Sequence, residues 1–569
     1  MKTRMILIGF LIGLLITLFS LISCNGIQTE KLFQNGIVVC ADPISAEHGL
    51  EILKSGGNAI DAACATAFSL AVTLPRAGNI GGGGFAMVYL ADSQKVFFID
   101  FRETAPSGSD ATGFLSGERK VDRAKATVGP LSAGVPGTVA GLYEMHNKLG
   151  RADWTSLVKP ARLLADTGFI TSNYLAESIE SYREELSRFA STGRIFLPEG
   201  VPIKAGYKFA QKDLSRTLGL IEANGRDGFY SGEVAEAIEM FCAANGGIIS
   251  QKDLLEYKPV WREPVLFEFR DLDIYTSGLP SSGGVVMGQI LSMLETYGLE
   301  KYTSQSPEYL HLFTEAARLA YADREQFLGD PAFAHDFTEE LLDQQYITTR
   351  LQLLDTERAT PSTEIMPGVP KRQESDETTH LVVADKEGNI VSLTYTINLS
   401  YGSKAVVDGC GFLLNNEMDD FAIVPGVANA FGLTGGEANK IESGKRMLSS
   451  MAPTIILWKG QPYMALGSPG GSKIITAVAQ TILNYRVFNH SITDAVNAPR
   501  IHHQWQPDIL YTESGTQGIR VIQELISRGH TVKERTPFCA VMAIAYSKEG
   551  HFVTGAADSR RDGATVLGF

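Results

Sequence analysis

The sequence lacks the features that would place it in several large functional classes. Its 569 residues carry 50 Lys+Arg against 64 Asp+Glu, a net charge of −14. It has no basic stripe and no arginine-rich tail, so nucleic acid is not an expected partner. Its six cysteines, Cys24, Cys40, Cys64, Cys242, Cys410 and Cys539, form no Cys-x-x-Cys pair, and a disulfide framework is not implied for a chain this long. His502 and His503 are adjacent, but neighbouring strand residues point to opposite faces, and no other His or Cys follows at ligand spacing. Gly81 to Gly84 lead into an apolar strand-like run, Phe85 to Leu90, and not into a helix, which argues against a phosphate or dinucleotide loop. Ser156-Leu157-Val158-Lys159 matches Ser-x-x-Lys without its companion motifs. Neither a cofactor nor a metal is expected. There is no internal repeat and no low-complexity tract.

What is present fits a globular chain, with 44% hydrophobic and 20% charged residues. The length suits two lobes or one large fold. The N-terminus reads as a targeting segment: Lys2 and Arg4, then an almost continuously apolar stretch from Met5 to Ser23, then Leu21-Ile22-Ser23-Cys24 before polar Asn25-Gly26. It looks like a bacterial lipoprotein signal covering residues 1–24, cut before Cys24 with lipid on that thiol. The alternative is an uncleaved membrane anchor. Either reading puts the body of the chain outside the cytoplasm, in the cell envelope (periplasm or cell surface), and acyl chains on Cys24 would hold it to a membrane.

Along the chain, Ser45–Gly56 and Ile60–Val72 carry helical spacing, as do Thr155–Leu164, Asp213–Ala223, Gly232–Ala243 and Pro307–Phe327. Residues 355–377, with Pro361, Pro367 and Pro370 among many Thr, Ser and Glu, read as an exposed loop. Order returns at Thr378. His380–Asp385 and Ile390–Asn398 flank Lys386-Glu387-Gly388-Asn389 as a hairpin, and Thr454–Trp458 and Tyr463–Leu466 form a second one around Lys459-Gly460-Gln461. Ser472–Val487 follows as a helix. Paired strands with flanking helices suggest two sheets between helix layers.

Thr378-Thr379-His380 joins a scissile-looking loop to a strand. A Thr at a free N-terminus carries its own base, because an α-amine with pKa near 7.7–8.0 can take the hydroxyl proton. The plainer reading is that Thr-Thr only starts a strand. Gly470 and Gly471, in Ser468-Pro469-Gly470-Gly471-Ser472, sit where a strand gives way to a helix. Their N–H groups can converge on one oxygen as an oxyanion hole, or the glycines merely serve a loop needing positive φ. Ser449-Ser450 can bind a carboxylate, and Arg102, at a strand end, can present a guanidinium to substrate. The Glu417–Asp420 cluster can grip an ammonium group and lacks calcium-loop spacing.

Taken together, these segments closely resemble the γ-glutamyltranspeptidase family over nearly the whole chain after the signal. The stretches that carry the resemblance are Thr378-Thr379-His380, Thr394-Tyr395-Thr396-Ile397-Asn398, Leu413 to Phe421, Leu448 to Thr454 and Gly467 to Ser472. Upstream, Ser55 to Ala63, Gly78 to Phe85, Asp100 to Glu103 and Gly134 to Thr138 match as well.

The resemblance implies an α+β N-terminal-nucleophile hydrolase fold, a four-layer αββα sandwich. It implies self-cleavage of the Glu377–Thr378 bond into a large piece, 25–377, and a small one, 378–569, which stay interwoven as a heterodimer. Thr378 would then attack a γ-glutamyl carbonyl, with Thr396 beside it and Gly470 and Gly471 as the oxyanion hole. Arg102, Ser449 and Ser450 would hold the substrate α-carboxylate, and Asn398, Glu417 and Asp420 its α-ammonium. Glutathione or another γ-glutamyl compound would be the donor, and water, an amino acid or a peptide the acceptor. Residues 425–439 resemble a lid in which Phe431 replaces a common Tyr, so a hydroxyl latch is not available. Near the C-terminus Asp558-Ser559-Arg560 replaces a more usual Asp-Pro-Arg. An acylase on the same scaffold, a transferase acting on poly-γ-glutamate and a solute-binding lipoprotein are the competing readings.

Overall fold

The strands around Thr378 are buried on both faces, which half-exposed strands are not. Thr379–Asp385, Ile390–Thr396 and Gly36–Cys40 are buried at every position. Strands of that kind need cover on both sides. The computed structural model describes residues 30–117, 120–365, 378–547, 550 and 552–569, and supplies that cover as two stacked antiparallel sheets between helices. The expected lipoprotein segment with Cys24, Glu377 and the latter part of the expected loop lie outside the described residues.

The first sheet has seven strands in the order Thr565–Gly568, Gly36–Cys40, Thr379–Asp385, Ile390–Thr396, Gly83–Leu90, Lys95–Asp100 and Val260–Arg262. The second has six: Val553–Ala557, Met542–Tyr546, Gln461–Gly467, Thr454–Trp458, Leu272–Thr276 and Val265–Phe269. Helices Pro43–Lys54 and Ala59–Thr73 pack on the outer face of the first sheet, and Gly283–Glu295, Lys473–Arg486 and Ile492–Asn497 on that of the second. The result is the four-layer αββα arrangement. Chain from both sides of Thr378 contributes strands to each sheet, so neither side holds a core of its own. Phe33–Phe569 form one compact unit.

Local chemistry explains the element ends. Helix Ala59–Thr73 starts at a capping box between Asn58 and Asp61. All 15 of its residues are buried, between the first sheet and helix Trp154–Thr167. The expected helix at Ser45 begins at Pro43, with Asp42 capping the Ser45 N–H. The hairpin after Thr378 pairs Leu381 with Leu393 and Tyr395 with Thr379. Its second strand stops at Thr396, short of the expected Asn398, because Asn398 sits at φ 71°. Lys459 (φ 53°) and Gly460 (φ 75°) take two successive left-handed conformations, the requirement of a tight hairpin turn.

Candidate active site

Thr378 opens the central strand Thr379–Asp385 and is 4% exposed. Its hydroxyl faces that of Thr396 on the neighbouring strand, 3.5 Å away. The Thr396 hydroxyl accepts the Asn398 N–H at 2.8 Å. The left-handed turn at Asn398 therefore orients Thr396, and Thr396 faces the Thr378 hydroxyl. Asn398 is held in turn by donating its side-chain amide to the Asn416 carbonyl at 2.9 Å.

A small cavity lies over Thr378. Its wall brings together Thr378, Thr396, Asn398, Arg102, Glu417, Asp420, Phe431, Ser449, Ser450 and Gly471. Of the sequence-predicted site residues described here, only Gly470 is not part of that wall. It adjoins Gly471, and a Cβ on it would meet Cys539 Sγ at 2.3 Å.

Gly470 (φ 136°) and Gly471 (φ 54°) both take conformations disfavoured for other residues. They directly precede helix Lys473–Arg486. Among the described residues neither N–H donates to a main-chain acceptor. Two such free donors next to a helix N-terminus form a site for developing negative charge. The loop is braced from behind: the Ser472 hydroxyl donates to Gln504 Oε1 at 2.6 Å, and Tyr321 OH donates to the Ser472 carbonyl.

The expected cationic and anionic grips touch each other. Arg102, 1% exposed, pairs with Glu417 at 2.6 Å, Asp420 at 2.5 Å and Glu103 at 3.5 Å. Burial works against the Arg102 charge, but Glu417, Glu103 and Asp420 outweigh it and hold the guanidinium firmly protonated. Burial raises the carboxyls: Glu103 to about 7, with Glu417 and Asp420 also above the usual range. Three carboxyls around one guanidinium can offer more negative charge than it cancels once an incoming ammonium favours their ionised forms, which suits a substrate ammonium. Asp419, raised to about 6 by burial, instead faces Arg123 at 3.0 Å and accepts the Ala430 N–H at 2.8 Å.

The expected lid covers this cavity. Asn429 organises it, accepting the Phe431 and Leu433 N–H groups at 2.9 and 3.1 Å and donating to Asp420 at 3.1 Å. Phe431 is buried, and its carbonyl accepts from the Gln504 side chain at 3.2 Å. The latch thus runs through the main chain, which a missing Tyr hydroxyl does not affect.

Sequence reasoning missed Arg324, Glu103, Asn429 and Gln504. Arg324 reaches the cavity from helix Pro307–Phe327, in which every residue from Tyr309 to Glu325 is buried. A charged triplet, Asp323-Arg324-Glu325, closing an otherwise core-forming helix was the available signal. His502 and His503 are both buried, His502 against Gln504 and Thr476, and His503 beside Asp508. Elsewhere, ligand atoms of His311, Glu315 and His530 come within 4.8 Å of one another. The histidines bond to each other at 2.8 Å and Glu315 pairs with Arg318. A guanidinium already neutralises the one anionic donor there, and among the described residues His530 Nδ1 is buried without a hydrogen-bond partner.

A family model described as gamma-glutamyltranspeptidase matches residues 45–568. The glutathione hydrolase proenzyme of Pseudomonas sp. (strain A14) is 42% identical over 545 residues, 94% of each chain. That of Escherichia coli (strain K12) is 40% identical over 528 residues, covering 93% of this chain and 90% of its own. Among solved structures, cephalosporin acylase from Bacillus halodurans superposes with a TM-score of 0.86 at 25% identity, covering 96% of this chain and 98% of that one.

Proposed function

Because the chain belongs to the γ-glutamyltranspeptidase family, we propose that it hydrolyses glutathione and related γ-glutamyl compounds, and transfers their γ-glutamyl group, after cutting itself before Thr378. Cleavage of the Glu377–Thr378 bond leaves a large piece, 25–377, and a small piece, 378–569. The freed Thr378 α-amine takes the proton of its own hydroxyl as the oxygen attacks the γ-carbonyl. Gly470 and Gly471 N–H groups receive the developing oxyanion. The amine proton passes to the leaving nitrogen as the amide breaks, and a γ-glutamyl ester remains on Thr378. Water then releases glutamate, or an acceptor amine forms a new γ-glutamyl amide. Arg102, Ser449 and Ser450 hold the α-carboxylate, while Asn398, Glu417 and Asp420 hold the α-ammonium. Thr396 orients the nucleophile, and Phe431 covers the site.

The observation that carries this reading is the placement of Thr378 in one cavity with groups of both charges. A γ-glutamyl group is zwitterionic at its far end and needs both. An acyl donor without an ammonium group would leave the Glu417–Asp420 cluster without a substrate partner. Residues 1–24 act as a lipoprotein signal and Cys24 carries the lipid anchor in the cell envelope. Among the described residues no helix is long and apolar enough to cross a membrane.

The test is a product analysis. Protein lacking residues 1–24 is incubated with glutathione, with and without a dipeptide acceptor. The expected products are free glutamate and, with acceptor, a γ-glutamyl-dipeptide. Neither product from fully cleaved protein would overturn the donor assignment.

A further inference from the structure

We propose that Arg324 is a further substrate-binding and specificity residue of this site, donating to the α-carboxylate of the γ-glutamyl group alongside Ser450. The inference rests on the carboxylate role given above to Ser449 and Ser450.

Charge balance inside the cavity leads to Arg324. Arg102 already meets three carboxyls, at 2.6, 2.5 and 3.5 Å. A substrate carboxylate arriving at Arg102 alone would meet Glu417 and Asp420 as well, and like charges at such range repel. Arg324 is placed differently. It is 4% exposed and lines the same cavity as Thr378. Its Nε donates to Ser282 Oγ at 2.8 Å and its Nη2 to Ser450 Oγ at 3.3 Å. Among the described residues no carboxylate lies within ion-pair distance of it. The acids whose fields reach it, Glu325 and Asp420, are engaged elsewhere: Glu325 with Thr434, and Asp420 with Arg102 and Asn429.

A buried guanidinium whose hydrogen bonds go to neutral hydroxyls lacks the partner that normally compensates its desolvation. The substrate supplies that partner. Its α-carboxylate, placed at Ser450, comes within reach of a cavity cation that has no carboxylate within ion-pair distance among the described residues. The cavity then has two poles. Glu417 and Asp420, with Asn398, face the ammonium. Arg324 with Ser450 adds positive charge for the carboxylate, beside Arg102 and Ser449. Reading both poles fixes the stereochemistry at the α-carbon and sets the direction in which the γ-carbonyl meets Thr378.

The test compares ligands that lack one pole. Calorimetry on the self-cleaved protein gives Kd for L-glutamate, for glutarate (no ammonium) and for 4-aminobutyrate (no α-carboxylate). Arg324→Gln is expected to weaken L-glutamate and glutarate by roughly 10- to 100-fold, the range for a hydrogen bond between charged groups. It is expected to leave 4-aminobutyrate within about twofold. Arg324→Lys, which keeps the charge, should recover part of the loss and provides a folded comparison if Arg324→Gln is unstable. Equal weakening of all three ligands, or none, would overturn the assignment. Ser450→Ala run in parallel separates the two claims. If it discriminates by carboxylate and Arg324→Gln does not, only the Arg324 inference falls. If Ser450→Ala also fails to discriminate, the carboxylate subsite itself is misplaced.

Discussion

The ring of Phe431 lies directly against Gly471: a Cβ on that glycine would meet Phe431 Cδ1 at 2.5 Å. The segment around Phe431 and the Gly470-Gly471 loop are therefore packed as one object. The lid is closed by ring-on-backbone contact and by a main-chain bond to Gln504, and neither requires a phenolic hydroxyl.

Gly471→Ala places a methyl group both in a left-handed backbone conformation (φ 54°) and inside the Phe431 ring. We expect kcat for γ-glutamyl-p-nitroanilide to fall by about 10²–10³-fold, the cost of losing an oxyanion donor. Phe431→Ala in the same chain should restore part of the loss by making room for the methyl. Strictly additive losses in the double variant would show that the contact does not couple lid and loop.

Thr378→Ala removes the nucleophile for both cleavage and turnover. The purified variant should run as one uncut chain and lose activity by more than about 10³-fold. Two fragments of the sizes expected for cleavage at 377–378, from this variant, would disprove self-processing by Thr378.

Thr396→Val keeps the shape of the side chain and deletes the hydroxyl that stands 3.5 Å from Thr378 and accepts the Asn398 N–H. The loss should appear mainly in kcat, at roughly 10–100-fold, with a smaller change in KM. A pure KM effect would move Thr396 from orienting the nucleophile to binding substrate.

Acid should destabilise the fold partly through its buried histidines. Burial lowers His380 to about 3; burial, with the Arg318 charge second, lowers His503 to about 4. Between those values and 6.5 the unfolded chain binds more protons than the folded one, so these groups remove stability as pH falls through that window. The buried carboxyls Glu103 and Asp419, raised to about 7 and about 6 mainly by burial, act in the opposite sense. The difference between variants isolates the histidine part. The drop in unfolding midpoint from pH 7 to pH 4 should be smaller for His380→Asn than for the unaltered chain. An equal drop would remove His380 from the account.

Much of the scaffold was legible because local chemistry and burial agreed. The Thr454–Trp458 hairpin, the long helix from Pro307 and the strand after Thr378 are specified by apolar runs, a proline at the first turn and a Lys-Gly turn. The site was legible where chemistry is local: a threonine behind a proline-rich loop, two adjacent glycines between strand and helix, two serines, a run of acids. Arg324 was not, because amphipathic spacing assigns the charged end of a helix to solvent, whereas this helix is enclosed on all sides. Glu103, beside Arg102, reads as a surface pair until the fold buries both.

The sequence by itself determined which residue types are at hand: Thr378 as a latent N-terminal nucleophile, the adjacent Gly470 and Gly471, and acids and bases in the stretches that carry the family resemblance. These are properties of residue type and of neighbours within a few positions. Tertiary structure alone decided which charges neutralise each other and which stay available. Arg102 and Glu417 are separated by more than three hundred residues and meet at 2.6 Å, while Arg324 reaches the same cavity without an acid within ion-pair distance among the described residues. Desolvation and Coulomb interaction depend on distance and burial in space, and those are fixed only when chain segments from both sides of Thr378 join in the two sheets.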